Sequence, residues 1–133
     1  MYIFGHKNTS DTIRPMLKEI LLKLILNGTD TFYVGNQGNF DRIVLEELRF
    51  FRDVYPNIRY YVVLAYLSHS LDPDITIYPE GLEKVPKVYA ISYRNKWMIK
   101  HSDTVVVHTV IAGNSRKFAD VARCQGKTVI EIP

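Results

Sequence analysis

The sequence predicts a single α/β domain over residues 1–133, with an open parallel sheet covered by helices on both faces. Short apolar runs alternate with segments of helical periodicity along the whole chain, and Gly- or Asn-containing turns separate them. This alternation is typical of strands joined by crossover helices. A chain of 133 residues with 47% apolar composition is also large enough for one three-layer core.

The first two units each read as a strand followed by a helix. Tyr2–Phe4 is a short apolar run, and Thr12–Leu26 has apolar residues at helical spacing, with Asn27-Gly28 predicting its end. Thr31–Val34 predicts the second strand, and Phe40–Asp53 the second helix. Asn39 is expected to cap that helix.

The middle of the chain predicts a third strand and then a long connection. Ile58–Ala65 is rich in β-branched and aromatic residues without polar alternation after Arg59, as expected of a strand covered on both faces. Tyr66–Val85 loses periodicity, and irregular segments of that length usually serve a function. Ile75–Tyr78 can add a minor strand within it.

The last third of the chain returns to alternation. The predicted elements are a helix opened by Pro86, a strand, a helix ended by Gly126, and a closing strand. In that order they cover Pro86–His101, Thr104–Val107, Arg116–Gln125 and Thr128–Ile132.

These elements predict a Rossmann-like, doubly wound sheet of about five parallel strands. Crossovers between parallel strands are right-handed, so helices must lie on both faces. We expect the strand order 3-2-1-4-5, with a crevice where the first and fourth strands adjoin and their loops diverge.

Three loops are expected at the carboxyl ends of the strands, at residues 5–10, 35–39 and 108–115, and all are rich in Gly, Asn, Ser or Thr. Such loops let backbone N–H groups approach an anion beside a helix start, although tight turns favour the same residues. The candidate ligand-binding residues in these loops are Gly5, His6, Lys7, Gly35, Asn36, Gly38, His108, Gly113, Asn114 and Ser115.

Composition excludes several other classes of function. The net charge of +3 comes from basic and acidic residues interspersed along the chain, which does not indicate a duplex nucleic acid partner. One cysteine and four unclustered histidines give no reason to expect a metal, and the absence of both G-x-G-x-x-G and P-loop motifs leaves no cofactor to assign. The lone Cys124 and the lack of a long apolar segment favour the cytoplasm, with no membrane partner.

Two carboxylates in the second helix are candidates for acid–base chemistry. Glu46 or Glu47 can point to the crevice as a general acid or base. The simpler interpretation is a solvated helix face on which Glu46 pairs with Arg42 or Arg49. Asp41, in the first turn, is most simply an acid that stabilises the helix dipole.

Two segments resemble the SLOG superfamily, most closely its small YpsA-like branch. One is the run Tyr93–Asp103 with the apolar strand and Gly-containing turn after it, and the other is Gly35-x-x-Gly38-x-Phe40-Asp41. The resemblance implies a Rossmann-like fold that recognises nucleotides or nucleotide-derived signals. The matching positions are Gly35, Gly38, Asp41, Arg94, Asn95 and Gly113–Ser115.

One departure from the superfamily affects the expected activity. Relatives carry a Gly-Gly-Thr turn where this chain has Ala112-Gly113-Asn114-Ser115, and the proline-glycine-glycine turn and downstream glutamate of the cytokinin-activating relatives are absent. We therefore expect binding of a nucleotide-type ligand, for sensing or sequestration. The alternatives are an N-glycosidase or transferase acting on nucleosides or nucleotides, and a single-stranded DNA-binding module.

The third helix predicts a homodimer or higher homo-oligomer. The helix carries Tyr89, Tyr93 and Trp97 at i, i+4 spacing, so these rings lie on one side of it. Together they give the helix more apolar surface than packing on one face of the sheet requires. A partner can then complete the crevice with the loop at residues 66–85. The alternative is that these rings pack on the protein's own sheet.

Overall fold

The computed structural model describes residues 2–5, 11–35, 38–66, 73–108 and 114–132. Its strands are β1 (Tyr2–Gly5), β2 (Thr31–Val34), β3 (Arg59–Val63), β4 (Thr76–Ile77), β5 (Thr104–His108) and β6 (Thr128–Ile132). Its α-helices are α1 (Arg14–Leu26), α2 (Asn39–Val54), α3 (Ala90–Lys100) and α4 (Asn114–Cys124).

The described strands form one parallel sheet in the order β4-β3-β2-β1-β5-β6. The prediction of an α/β protein with parallel strands is confirmed. Within the sheet, the strands predicted from the sequence follow the order 3-2-1-4-5. The minor strand expected within Ile75–Tyr78 is present, because Thr76–Ile77 pairs with Val62 and Val63 and adds an edge strand to the five others.

Helices pack against both faces of this sheet. Successive side chains of a strand point to opposite sides, so one strand contributes residues to the cores on both faces. In β2, Phe32 and Val34 belong to the core that includes Leu17 of α1 and Leu48 of α2. The residue between them, Tyr33, packs against the other core. That second core contains Met98 and Ile99 from α3, and Phe118, Ala119 and Ala122 from α4.

Two glycines end helices as the sequence predicted. Gly28 has φ +100° after α1, and Gly126 has φ +76° after α4. The N–H of Gly28 donates to the carbonyl of Ile25 at 3.1 Å, and that of Thr29 donates to Leu24 at 2.9 Å. This paired arrangement satisfies carbonyls of the last turn and needs a left-handed residue, which glycine adopts at low cost.

Three helix starts differ from the prediction. Gly38, rather than Asn39, precedes the first residue of α2, and the Asn39 side chain accepts hydrogen bonds from the Arg42 guanidinium, 3.0 Å from Nε and 2.7 Å from Nη2. The predicted helix from Pro86 begins as a 3₁₀ turn at Lys87–Tyr89 and becomes α-helical at Ala90. Short 3₁₀ turns are frequent at helix starts. Asn114 and Ser115 lie within the first turn of α4 rather than before it.

Across the ranges that the structure describes, no helix combines the length and the apolar character required to cross a membrane.

Candidate functional site

The carboxyl ends of the parallel strands meet at one edge of the sheet. Gly5 of β1 is in register with His108 of β5 at this edge. The helix after β1 packs on one face of the sheet and the helix after β5 packs on the other. The connections that follow β1 and β5 therefore leave the sheet towards opposite faces. In open α/β sheets, ligands bind in the crevice at such a boundary between neighbouring strands, and we refer to the β1–β5 boundary as the crevice.

A buried arginine lies at the same carboxyl edge of the sheet, by the ends of β2 and β3. Arg94 of α3 is only 3% exposed. Its Nε donates to Oδ1 of Asn95 at 2.9 Å, and its Nη1 donates to the carbonyl of Val63 at 3.3 Å. Because Val63 is the last residue of β3, the second of these hydrogen bonds attaches α3 to the carboxyl end of that strand.

The same guanidinium packs against the backbone at the end of β2. A Cβ atom at Gly35 would lie 2.7 Å from Nη1 of Arg94 and 3.0 Å from Oδ2 of Asp41. The carboxylate of Asp41 belongs to the first turn of α2 and is 9% exposed. The guanidinium of Arg94 and the carboxylate of Asp41 therefore both approach the position that a side chain at residue 35 would take. We call Gly35, Asp41, Arg94 and Asn95 the Arg94 cluster.

The cluster has the chemistry of a phosphate-and-hydroxyl site. A guanidinium pairs with phosphate or carboxylate in a fixed geometry, and a carboxylate accepts hydrogen bonds from hydroxyl or amino groups. The start of α2 adds the positive end of a helix dipole. The cluster lies at the end of β2, one strand spacing or about 5 Å from β1.

The structure brings together some of the residues predicted from the sequence. Gly35, Asp41, Arg94 and Asn95 form the cluster, and the carbonyl of Gly38 accepts the Arg42 N–H in the first turn of α2 at 3.2 Å. The backbones of Gly5 and His108 lie at neighbouring strand ends, and Asn114 and Ser115 open α4. The other predicted site residues lie outside the described residues: His6, Lys7, Asn36 and Gly113.

Glu46 and Glu47 do not belong to this edge. Glu46 accepts from Arg42 at 2.6 Å, so that predicted pair is confirmed. A solvated Glu47 is a wrong prediction, because its side chain is buried and accepts from Nη1 of Arg14 at 2.8 Å. This hydrogen bond raises the pKa of the Arg14 guanidinium above its ordinary value. The contact ties α2 to α1 across 33 residues, which local spacing does not reveal.

Most of the aromatic line of the third helix faces the protein's own core. Tyr93 donates its hydroxyl to the carbonyl of Glu80 at 2.7 Å. Trp97 meets Tyr33 edge to face at 5.5 Å and stacks on His101 at 3.9 Å between ring centres. Tyr89 is 62% exposed. The alternative of inward packing thus holds for two of the three rings.

Two further observations bear on the identity of the site. Within the described ranges, no three His, Cys, Asp or Glu side chains are grouped so that they could hold a metal ion. Comparison of the chain with family models and with curated proteins finds no match.

The close approach at Gly35 gives a prediction about stability. Gly35→Ala places a methyl group against the buried guanidinium, and overpacking of this kind costs about 1–3 kcal/mol of unfolding free energy. In an Arg94→Ala background the contact with the guanidinium is absent and only the one with the Asp41 carboxylate, at 3.0 Å, remains, so the same change costs less unfolding free energy. Urea denaturation of the four proteins measures this coupling. Equal costs in the two backgrounds would show that the packing at Gly35 is not what the structure describes.

Proposed function

We propose that this chain binds a nucleotide or nucleotide-derived signal in the crevice, to sense or sequester it, as a Rossmann-like member of the SLOG superfamily. The observation that carries the proposal is the Arg94 cluster, in which a buried guanidinium and a buried carboxylate both lie close to Gly35. The residues that form it are among those by which the sequence resembles that superfamily.

A nucleotide suits this arrangement better than a simple anion does. Its phosphate matches a guanidinium and the N–H groups at a helix start, and its ribose and base offer donors to a carboxylate. Glycine at position 35 removes a side chain that would otherwise crowd the site. A bare phosphate would leave Asp41 as a repelling charge.

An N-glycosidase or transferase is the second candidate, and Asp41 is the observation that favours it. Glycosidic bond cleavage needs a carboxylate near the ribose. Glu46 and Glu47 pair with Arg42 and Arg14 away from this edge of the sheet, and Asp41 lies in the cluster. This candidate predicts that the protein releases ribose 5-phosphate from nucleoside monophosphates and that Asp41→Asn abolishes the release. That result would show catalysis rather than binding alone.

Thermal unfolding across a panel of nucleotides and cyclic nucleotides tests the proposal. A ligand at about 100 times its Kd stabilises the folded state by about 2.7 kcal/mol, roughly 10 °C in Tm for a domain of this size. Arg94→Lys keeps the positive charge but loses the planar donor geometry, so it should lose most of that shift.

The control for this experiment is Arg49→Ala, which removes the same charge from an exposed position of α2. It should keep the full increase in Tm. If no member of the panel raises the Tm, or if Arg94→Lys keeps the whole increase, the site is not a nucleotide site.

The proposal includes a homodimer. Its interface would be smaller than the sequence predicted, because only part of the aromatic line of the third helix is exposed. Val88 and Tyr89 are 80% and 62% exposed at the start of the third helical segment, and Ile91 and Tyr66 are exposed as well. We propose that this apolar surface pairs two copies of the chain, since aromatic residues are favoured in interface cores.

Light scattering tests the dimer with a matched pair of variants. The unmodified chain should show twice its 15.4 kDa mass, and Tyr89→Asp should reduce it to the mass of one chain. Phe50→Asp changes an aromatic side chain of similar exposure on α2 and should leave the dimer intact. A monomer mass for the unmodified chain at high concentration would refute the dimer.

A further inference from the structure

A second concave surface lies on the outer edge of the sheet, away from the crevice. It is an open groove of about 420 Å³ beside the first half of β3. β4 is in register with Val62 and Val63, so in the described part of the chain the outward edge of residues 59–61 has no neighbouring strand. Small-molecule sites usually begin at about 300 Å³, and the groove exceeds that size.

The side chains around the groove combine positive charge with aromatic surface. Two guanidinium groups face a single carboxylate, which leaves a net positive lining, and two tyrosine rings and one aliphatic side chain complete it. The lining residues are Arg52, Arg59, Tyr60, Tyr61, Asp74 and Ile75. A small ligand with a flat apolar body and a negative group matches this lining.

One of the two arginines contacts an aromatic ring of the groove. The guanidinium carbon of Arg52 lies 5.7 Å from the centre of the Tyr60 ring, a distance at which a cation and an aromatic face attract each other. Tyr60 is itself 7% exposed and therefore a firm support. A side chain that is restricted before binding loses less conformational entropy when an anion arrives.

The backbone supplies a further donor to the groove. The N–H of Arg59 donates towards β2, to the carbonyl of Asp30, and the N–H of Leu64 donates towards β4, to Ile77. Because successive residues of a strand direct their N–H groups to opposite sides, the N–H and carbonyl of Tyr60 point to the open edge. Tyr60 lies four residues before Leu64, about 13 Å along the strand from the carboxyl edge.

We propose that this groove is a second binding site, for a small aromatic anion such as an aryl phosphate or aryl carboxylate. Arg52, Arg59 and the N–H of Tyr60 bind the anionic group. The ring of the ligand lies against Tyr61 and Ile75. The site shares no residue with the Arg94 cluster and does not depend on the function proposed for it.

Two-dimensional ¹H–¹⁵N NMR of the full chain titrated with phenyl phosphate tests this site. The backbone amides of Tyr60, Tyr61, Asp74 and Ile75 should shift together and saturate with one Kd. The double variant Arg52→Ala/Arg59→Ala should raise that Kd at least tenfold. Arg49→Ala removes a positive charge from the same helix outside the groove and should change the Kd by less than twofold.

Inorganic phosphate and phenol separate the two parts of the ligand. Each should bind at least tenfold more weakly than phenyl phosphate if charge and ring are both recognised. Equal binding of inorganic phosphate would overturn the aromatic part of the proposal. Shifts confined to Gly35, Asp41 and Arg94, or none at the groove, would overturn the second site and leave the proposal for the crevice to be judged separately.

Discussion

The guanidinium of Arg94 lies where the ends of β2 and β3, the first turn of α2 and the middle of α3 come together, and its charge has to be compensated there. Removing such a charge from water costs several kcal/mol unless acceptors and an opposite charge replace the lost hydration. The carbonyl of Val63 and the amide of Asn95 accept hydrogen bonds from it, and the carboxylate of Asp41 lies close to the same glycine, Gly35. Gly35 makes it possible, because any side chain there would occupy the same space.

The two faces of the sheet are held by different interactions. On one face, the ion pair between Arg14 and Glu47 links α1 to α2 above the apolar core that includes Phe32 and Val34. On the other, α3 and α4 pack mainly through apolar contacts, with Trp97 and Phe118 in or against the same core. The Arg94 cluster joins elements of both faces at the carboxyl edge. The carboxyl ends of β2 and β3 are therefore bounded by helices from both layers.

Local signals were sufficient for much of the fold. Gly28 and Gly126 end their helices because a left-handed residue is needed there, and this requirement is visible in the sequence. Alternation and the handedness of crossovers narrowed the strand order to those of doubly wound sheets without fixing which of them the chain adopts. The edge strand Thr76–Ile77 is only two residues long, and a run this short has no periodicity from which its length could be predicted. The open groove beside β3, which exists because β4 is so short, was therefore not predictable from the sequence.

Non-local contacts account for what the sequence left undetermined at the candidate site. Helical periodicity places an arginine such as Arg94 in solvent as readily as in the interior, and only the resemblance singled it out. Glu47 and Glu46 are adjacent in the chain, but Arg14 is too distant in sequence to indicate which of them becomes buried. Gly35 and Arg94 are far apart in the chain and come into contact only after folding, so no local sequence pattern predicts that they are neighbours.

The most direct test of the account is mass spectrometry of the small molecules released when the natively purified protein is denatured. If the Arg94 cluster belongs to a nucleotide site, the unmodified chain should release a compound that contains a nucleobase and a phosphate, in an amount approaching one per chain. The Arg94→Lys variant, prepared in parallel and shown by circular dichroism to be folded, should release little of this compound. The same amount from both proteins, or a released compound without phosphate, would contradict the account.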